Sequence, residues 1–388
     1  MALGDTVQEI LDQGVTDGDV VGAVAKVIGA DGDICSAAAG TRGADSDVAM
    51  SSDTVCWIAS MTKAVTGAAA MQLVEQGKLS LDGPAADVLP LVGELDVLTG
   101  FDDDGNPVTR PRNGDITLRH LLTHTAGMGY DIWSPELGQY EEATGTPGVI
   151  ECQKATLRIP LLFDPGERWF YGTGIDYAGQ MVEAVSGMTL GEYMAANIFE
   201  PLAMSDTAFK ITDDMRARQS AMHTRDENGS LFEMPFEILQ EPEFEMGGGG
   251  LYSTVDDYCR FLTMMLNGGS LNGNQIVSPD THAQMVTNAM GDLRVTMLPT
   301  AAPPFSFDAE FFPGVEKSWG LTFQINEEPA PTGRPAGGLM WAGLANSYFW
   351  IDLQNQVAGC YISQQVPFAD PRSYGLYEAI ETAAYDSL

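Results

Sequence analysis

Basic residues are scarce in this chain. Of its 388 residues only 19 are Lys or Arg, against 54 Asp or Glu, which leaves a formal net charge of −35 at pH 7. A surface of that sign repels phosphate backbones and anionic lipid headgroups, so neither nucleic acid nor a membrane is an expected partner. Asp-rich, Lys-poor surfaces suit salty water, where screening weakens self-repulsion, and a saline or marine source is the expectation. The melting temperature should therefore rise as salt is added to a thermal scan; a flat or falling trend would contradict it. Cysteine is also sparse. The five (Cys35, Cys56, Cys152, Cys259, Cys360) are odd in number, widely spaced and without a CxxC pair, which argues against a disulfide framework or a zinc knuckle and for reduced, buried thiols. No run of about 18 apolar residues occurs, and Met1 to Gln13 shows no basic region followed by an apolar one. Cytoplasmic residence is the expectation.

The remaining composition is that of a compact globular protein, with 44% hydrophobic and 19% charged residues. At this length one bilobal body or two interleaved domains is expected. A short helix is predicted over 5–14, then two strands, Val20 to Gly29 and Ile34 to Ala39, around the turn Ala30 to Asp33. A buried run Thr54 to Ile58 precedes helical periodicity from Ser60 to Gln76, closed by Gly77. From 79 to 251 helices and long loops dominate, with a polar excursion at Phe101 to Gly114 and a helix near Ile116 to Thr123. Toward the C-terminus a helix from Val255 to Leu266 leads to a hairpin-like Gly268 to Val277. Strands are predicted at Trp319 to Asn326, Leu339 to Leu344, Ser347 to Asp352 and Val357 to Gln364, and a last helix at Pro371 to Tyr385. Strands at both chain ends imply one sheet built from 1–78 and 252–388, a mostly helical lobe from 79–251, and a site in the cleft between.

Within the first long helix Ser60 and Lys63 stand three residues apart, which puts their side chains on one face roughly 5–6 Å apart. A serine hydroxyl needs a neighbour to take its proton and donors to hold the oxyanion that forms. Lys63 can be that neighbour if burial and nearby positive charge lower its affinity for a proton, and the helix N-terminus around Ser60 points the favourable way. The Ser60 backbone N–H supplies one oxyanion donor. By itself Ser-x-x-Lys is a weak signal, because the spacing recurs by chance.

Further segments, in order, resemble the serine β-lactamase and penicillin-binding-protein superfamily, in which S-x-x-K is the nucleophile motif. Phe163 Asp164 Pro165 Gly166 Glu167 Arg168 Trp169 Phe170 Tyr171 Gly172 Thr173 resembles its PGE-x-W-x-Y-S segment. Leu121 to Gly127 looks like LLTHTSG, and Gly247 to Ser253 like GGGGLYST. Trp341 Ala342 Gly343 resembles the W-G-G triplet of the family VIII carboxylesterases. The resemblance runs from about Val55 to Gln364. It implies an α+β fold of the β-lactamase/penicillin-binding-protein type, an antiparallel sheet flanked by helices plus a mostly helical lobe, and catalysis through an acyl-serine. It also implies that Tyr171 faces Ser60 and shares proton traffic with Lys63, that the Leu344 N–H completes the oxyanion pair, and that Trp341 and Gly343 touch substrate. Which of Lys63 and Tyr171 is the base stays open, and a coupled pair titrates as a pair. Met128, Tyr130, Trp133 and Tyr140 are candidates for an acyl pocket.

Departures narrow the substrate. Where penicillin-recognising members carry a Lys-Thr-Gly triplet, this chain has Trp341, and an indole cannot pair with a carboxylate. Tyr171 Gly172 Thr173 also lacks the Tyr-x-Asn amide of class C β-lactamases. Hydrolysis of short uncharged carboxylic esters, a small-molecule substrate without cofactor, is the leading expectation. A β-lactamase or D-amino-acid peptidase, an amide hydrolase of the aminohexanoate-dimer type, an acyltransferase to an alcohol and a silent binding protein are the alternatives. No metal is expected: His120 and His124 read as an i, i+4 pair without a third ligand. Phe101 to Asn106 fails the calcium-loop pattern and reads as a hairpin tip. No G-x-S-x-G elbow exists for a histidine triad, and Gly247 to Gly250 reads as backbone approaching a cleft wall.

Overall fold

The computed structural model describes residues 2–226 and 228–388. Its centre is a seven-stranded antiparallel sheet in the spatial order Lys317–Trp319, Gln324–Asn326, Leu339–Gly343, Ser347–Asp352, Val357–Ile362, Gly22–Gly29, Gly32–Gly40. The N-terminal strand pairs with the last one, Val24 opposite Ile362, so both chain ends build one sheet.

Period-two alternation decides what each face meets. Tyr348 and Trp350 reach Tyr377 on the helix Pro371–Asp386. Phe349, between them, reaches Tyr258 on the helix Val255–Leu266 against the opposite face. Helices therefore cover the sheet on both sides, which is why its central strands are buried along their whole length.

Three expectations change in detail. Trp319 to Asn326 is not one strand but two, Lys317–Trp319 and Gln324–Asn326, paired with each other. The chain reverses between them, with Thr322 at a φ of 85°. The segment from 79 to 251 holds two ribbons besides its helices, Val97–Phe101 with Pro107–Arg110 and Met222–Arg225 with Leu231–Met234. Asp102 to Asn106 is the tip of the first, as expected. The helix Leu118–Leu122 stops before His124, so His120 and His124 do not share a helical face. Among the described residues no helix is long and apolar enough to cross a membrane, no cluster of His, Cys, Asp and Glu is placed to hold a metal ion, and all five cysteines are free and buried.

Candidate active site

Ser60 owes its position to a kinked entry into a buried helix. Cys56–Trp57 pairs with Tyr252–Ser253, Ala59 turns the chain with a φ of 45°, and a 3₁₀ turn Ala59–Met61 leads into the helix Thr62–Glu75. The left-handed φ on an alanine costs on the order of 1 kcal/mol, held by the packing around it. From Thr62 to Leu73 every residue of that helix is buried, as suits a helix apolar on all sides. The end of the sheet strand Leu339–Gly343 lies against the same turn. A Cβ on Gly343 would stand 2.4 Å from the Ile58 carbonyl oxygen, so only glycine permits the approach.

The first predicted pair meets. Lys63 Nζ lies 3.0 Å from Ser60 Oγ, 3.0 Å from the Tyr130 hydroxyl and 2.6 Å from the Gly248 carbonyl oxygen. Those three acceptors match the three N–H groups of an ammonium. Burial pulls the Lys63 ammonium down to about 7, while the charge of Asp176 pulls the other way. Here the expectation of a nearby positive charge is corrected: the charged neighbour is a carboxylate, and desolvation alone makes the amine a weak enough base to be free near neutral pH.

Tyr171 comes to the same oxygen from the other side. Its hydroxyl meets the Ser60 side chain and accepts the Trp341 indole N–H at 3.0 Å. Burial holds the phenol well above the usual tyrosine range, despite these two hydrogen bonds. Tyr171 is therefore a neutral phenol whose oxygen takes the Trp341 N–H and lies beside the Ser60 side chain. Its ring is caged by His124, Trp133, Trp319 and Trp341, with centroids at 4.5, 5.4, 6.4 and 4.8 Å. His124 takes the Gly172 N–H on Nδ1 at 3.3 Å, and burial and the Lys63 charge keep it uncharged. That is a structural role.

A cavity of about 900 Å³, counting the part open to solvent, has Ser60, Tyr130, Tyr171 and Leu344 on its wall. Trp57, Ile132, Trp133, Val149, Ile150, Phe236 and Phe305 make it predominantly apolar, and among the described residues Asp131 is the one charged residue in its lining. Gly248 and Gly249 form part of the wall, as the four-glycine run suggests. Among the described residues the backbone N–H groups of Ser60 and Leu344 donate to no protein acceptor, which leaves both free for an oxyanion. Met128, Trp341 and Gly343, expected against substrate, lie behind the wall. Met128 carries backbone packed on Gly172, the Trp341 indole is spent on Tyr171, and Gly343 abuts Ile58. Tyr130, expected as acyl-pocket lining, also contacts Lys63 directly. Asp176 and the Gly248 carbonyl escape the sequence reading altogether; the available signal is an acid inside the apolar run Gly174 Ile175 Asp176 Tyr177 Ala178, all of it buried.

Known proteins resemble this chain along most of its length. The sequence pattern of the family described as Beta-lactamase matches residues 7–384. ML-236A carboxylate methylbutanoyltransferase mlcH of Penicillium citrinum is 32% identical over 349 residues, 87% of this chain and 82% of that protein. Lovastatin esterase of Penicillium rubens is 32% identical over 326 residues, 81% of this chain and 80% of its own length. The solved structure of unliganded simvastatin synthase (LovD) from Aspergillus terreus superposes with a TM-score of 0.87 at 27% identity, covering 100% of this chain and 99% of that one.

Proposed function

Because the chain belongs to the Beta-lactamase family, we propose that it is a serine acyl-transfer enzyme acting on uncharged esters, with an acyl-Ser60 intermediate passed to an alcohol or, failing that, to water. The observation that carries this is Ser60 Oγ, 3.0 Å from a buried lysine amine at the wall of an apolar cavity. Ser60 attacks the carbonyl carbon while Lys63 takes the hydroxyl proton. The N–H groups of Ser60 and Leu344 hold the oxyanion, and the Tyr171 phenol relays a proton to the departing alkoxide. With Tyr171 held as a phenol and Lys63 pulled toward neutrality, Lys63 is the base and Tyr171 the relay. An incoming alcohol then runs the same steps in reverse and releases the new ester.

Transfer is favoured over plain hydrolysis by the apolar wall, which shelters the acyl-serine from water, and by the transferases among the relatives. An esterase among them supports water as the second acceptor. In turnover of p-nitrophenyl butyrate with rising n-butanol, butyl butyrate should appear and saturate with alcohol. Butyric acid as sole product at every concentration would reduce the function to hydrolysis.

Charge sets the substrate class. Among the described residues no cation lines the cavity; Asp131 does, and burial raises its carboxyl above the usual range. A carboxylate-bearing ester should therefore be turned over with a kcat/KM at least about tenfold lower than its uncharged isostere, and Asp131→Asn should narrow that gap. Equal kcat/KM for both esters would remove Asp131 from specificity. Nitrocefin, which carries a carboxylate, should be a poor substrate for the same reason.

A further inference from the structure

Lys63 has a buried carboxylate for a neighbour, yet the two form no direct ion pair. The peptide of Gly248 stands between them. Asp176, fully buried at the start of the helix Gly174–Ser186, accepts the Gly248 N–H on Oδ1 at 2.8 Å, and the carbonyl of the same glycine accepts from Lys63 Nζ at 2.6 Å. The second oxygen, Oδ2, is buried and has no hydrogen-bond partner among the described residues. The fit is close: a Cβ on Gly248 would lie 2.6 Å from that oxygen.

Such an arrangement answers a requirement of the chemistry. To act as a base, Lys63 must point its lone pair at Ser60 Oγ, which means that its two remaining N–H groups must be engaged elsewhere. A hydroxyl such as Tyr130 can donate as well as accept, but a carbonyl oxygen can only accept. The Gly248 carbonyl therefore always claims one N–H and, with Tyr130 taking the other, leaves the Ser60 direction for the lone pair. A carboxylate in direct contact with Lys63 would instead hold it as an ammonium. Set behind a peptide, the carboxylate orients the amine without trapping its proton.

We propose that Asp176 is the positioning residue of the proton acceptor, fixing through the Gly248 peptide the carbonyl that aims Lys63 at Ser60 and setting by its charge how readily Lys63 yields its proton. The inference rests on the reading of Ser60 as nucleophile and Lys63 as base. The other titratable groups around Lys63 are Tyr130, Tyr171 and His124, all of which burial holds uncharged near neutral pH. Around Asp176 they are Lys63, Tyr130, Tyr171, Tyr177 and Cys152; burial holds the phenols and the thiol neutral, so only Lys63, when protonated, brings a positive charge. Among the described residues Asp176 is thus the one acid that Lys63 faces, an anion at neutral pH although burial pushes its carboxyl up to about 6 against the pull of Lys63.

The test separates charge from placement. Asp176→Asn removes the charge and keeps an oxygen for the Gly248 N–H; Asp176→Glu keeps the charge and displaces the oxygen by a methylene. Two pH profiles are read from each full-length variant: kcat/KM on p-nitrophenyl butyrate, and the rate of fluorophosphonate labelling of Ser60. Taking away an anion disfavours the ammonium, so the acid limb of Asp176→Asn should move to lower pH by about one unit. Asp176→Glu should keep the wild-type limb, while its maximal rate falls by roughly ten- to a hundredfold. An unmoved limb in the Asn variant, or a wild-type maximum in the Glu variant, overturns the proposal, since a residue with only a structural role would change the melting temperature and leave the limb in place. If the Asn variant does not fold, the Glu variant decides alone. Labelling needs only the nucleophile and its base, so wild-type labelling at Ser60 without ester turnover would count against the substrate reading and leave the Asp176 comparison intact.

Discussion

Ser60→Ala is expected to lower kcat/KM on uncharged short-chain esters by about 10⁴-fold or more, and to abolish labelling by a fluorophosphonate. The size follows from what the hydroxyl does in the proposed reaction: every route to product passes through a bond at that oxygen, so what survives is only the contribution of the oxyanion donors and the cavity. Ser60 is not fully buried and sits at the cavity wall, so the melting temperature should hold, separating lost chemistry from lost folding. Equal ester turnover by the two proteins would leave a fold-retaining binding protein as the better reading.

Lys63→Met should come second, at roughly 10²- to 10⁴-fold. The wild-type profile has a predictable sign. A base held near 7 by burial is protonated and idle at low pH, so kcat/KM should climb as pH rises through about 7 and level off above it. Methionine fills much of the lysine volume without a titrating group, and its residual rate should lose that climb. Lys63→Arg should not rescue activity, because a guanidinium cannot give up its proton in a protein. A Met variant that retains the wild-type limb would move the base to another residue.

What the residues alone disclosed depended on the range of the interaction. The meeting of Ser60 with Lys63 is local helical geometry, fixed by a three-residue spacing, and it needs no knowledge of the fold. The alternation of Tyr348, Phe349 and Trp350 between two helices is equally local, and the strand Ser347–Asp352 has the limits the pattern gives. Tyr171 is 111 positions from Ser60, and only its motif pointed to the pairing. The Lys63 contact to Tyr130 had no such motif, and the four-glycine run that carries Gly248 signalled only backbone at the cleft wall, not the atom its carbonyl would meet. Asp176 was the hardest: an acid in the first turn of a helix is ordinarily a surface residue favoured by the helix dipole, and its burial depends on tertiary packing. Trp341 was identified as the departure from a cation-bearing strand, but the destination of its N–H, the Tyr171 oxygen, required coordinates.

The pairing of the N-terminal strand Gly22–Gly29 with Val357–Ile362 bears on when the protein becomes competent during its manufacture. A ribosome adds about 5–20 residues per second, so Ser60 leaves the exit tunnel many seconds before the strand that pairs with Gly22–Gly29 and before Leu344, whose amide is the second oxyanion donor proposed above. Until then the first hairpin has an open edge, a state prone to mispairing with other chains. A nascent polypeptide stalled short of that strand should be chemically inert toward esters and in need of chaperone cover, and slower translation through the segment up to Ile362 should lower the yield of folded protein.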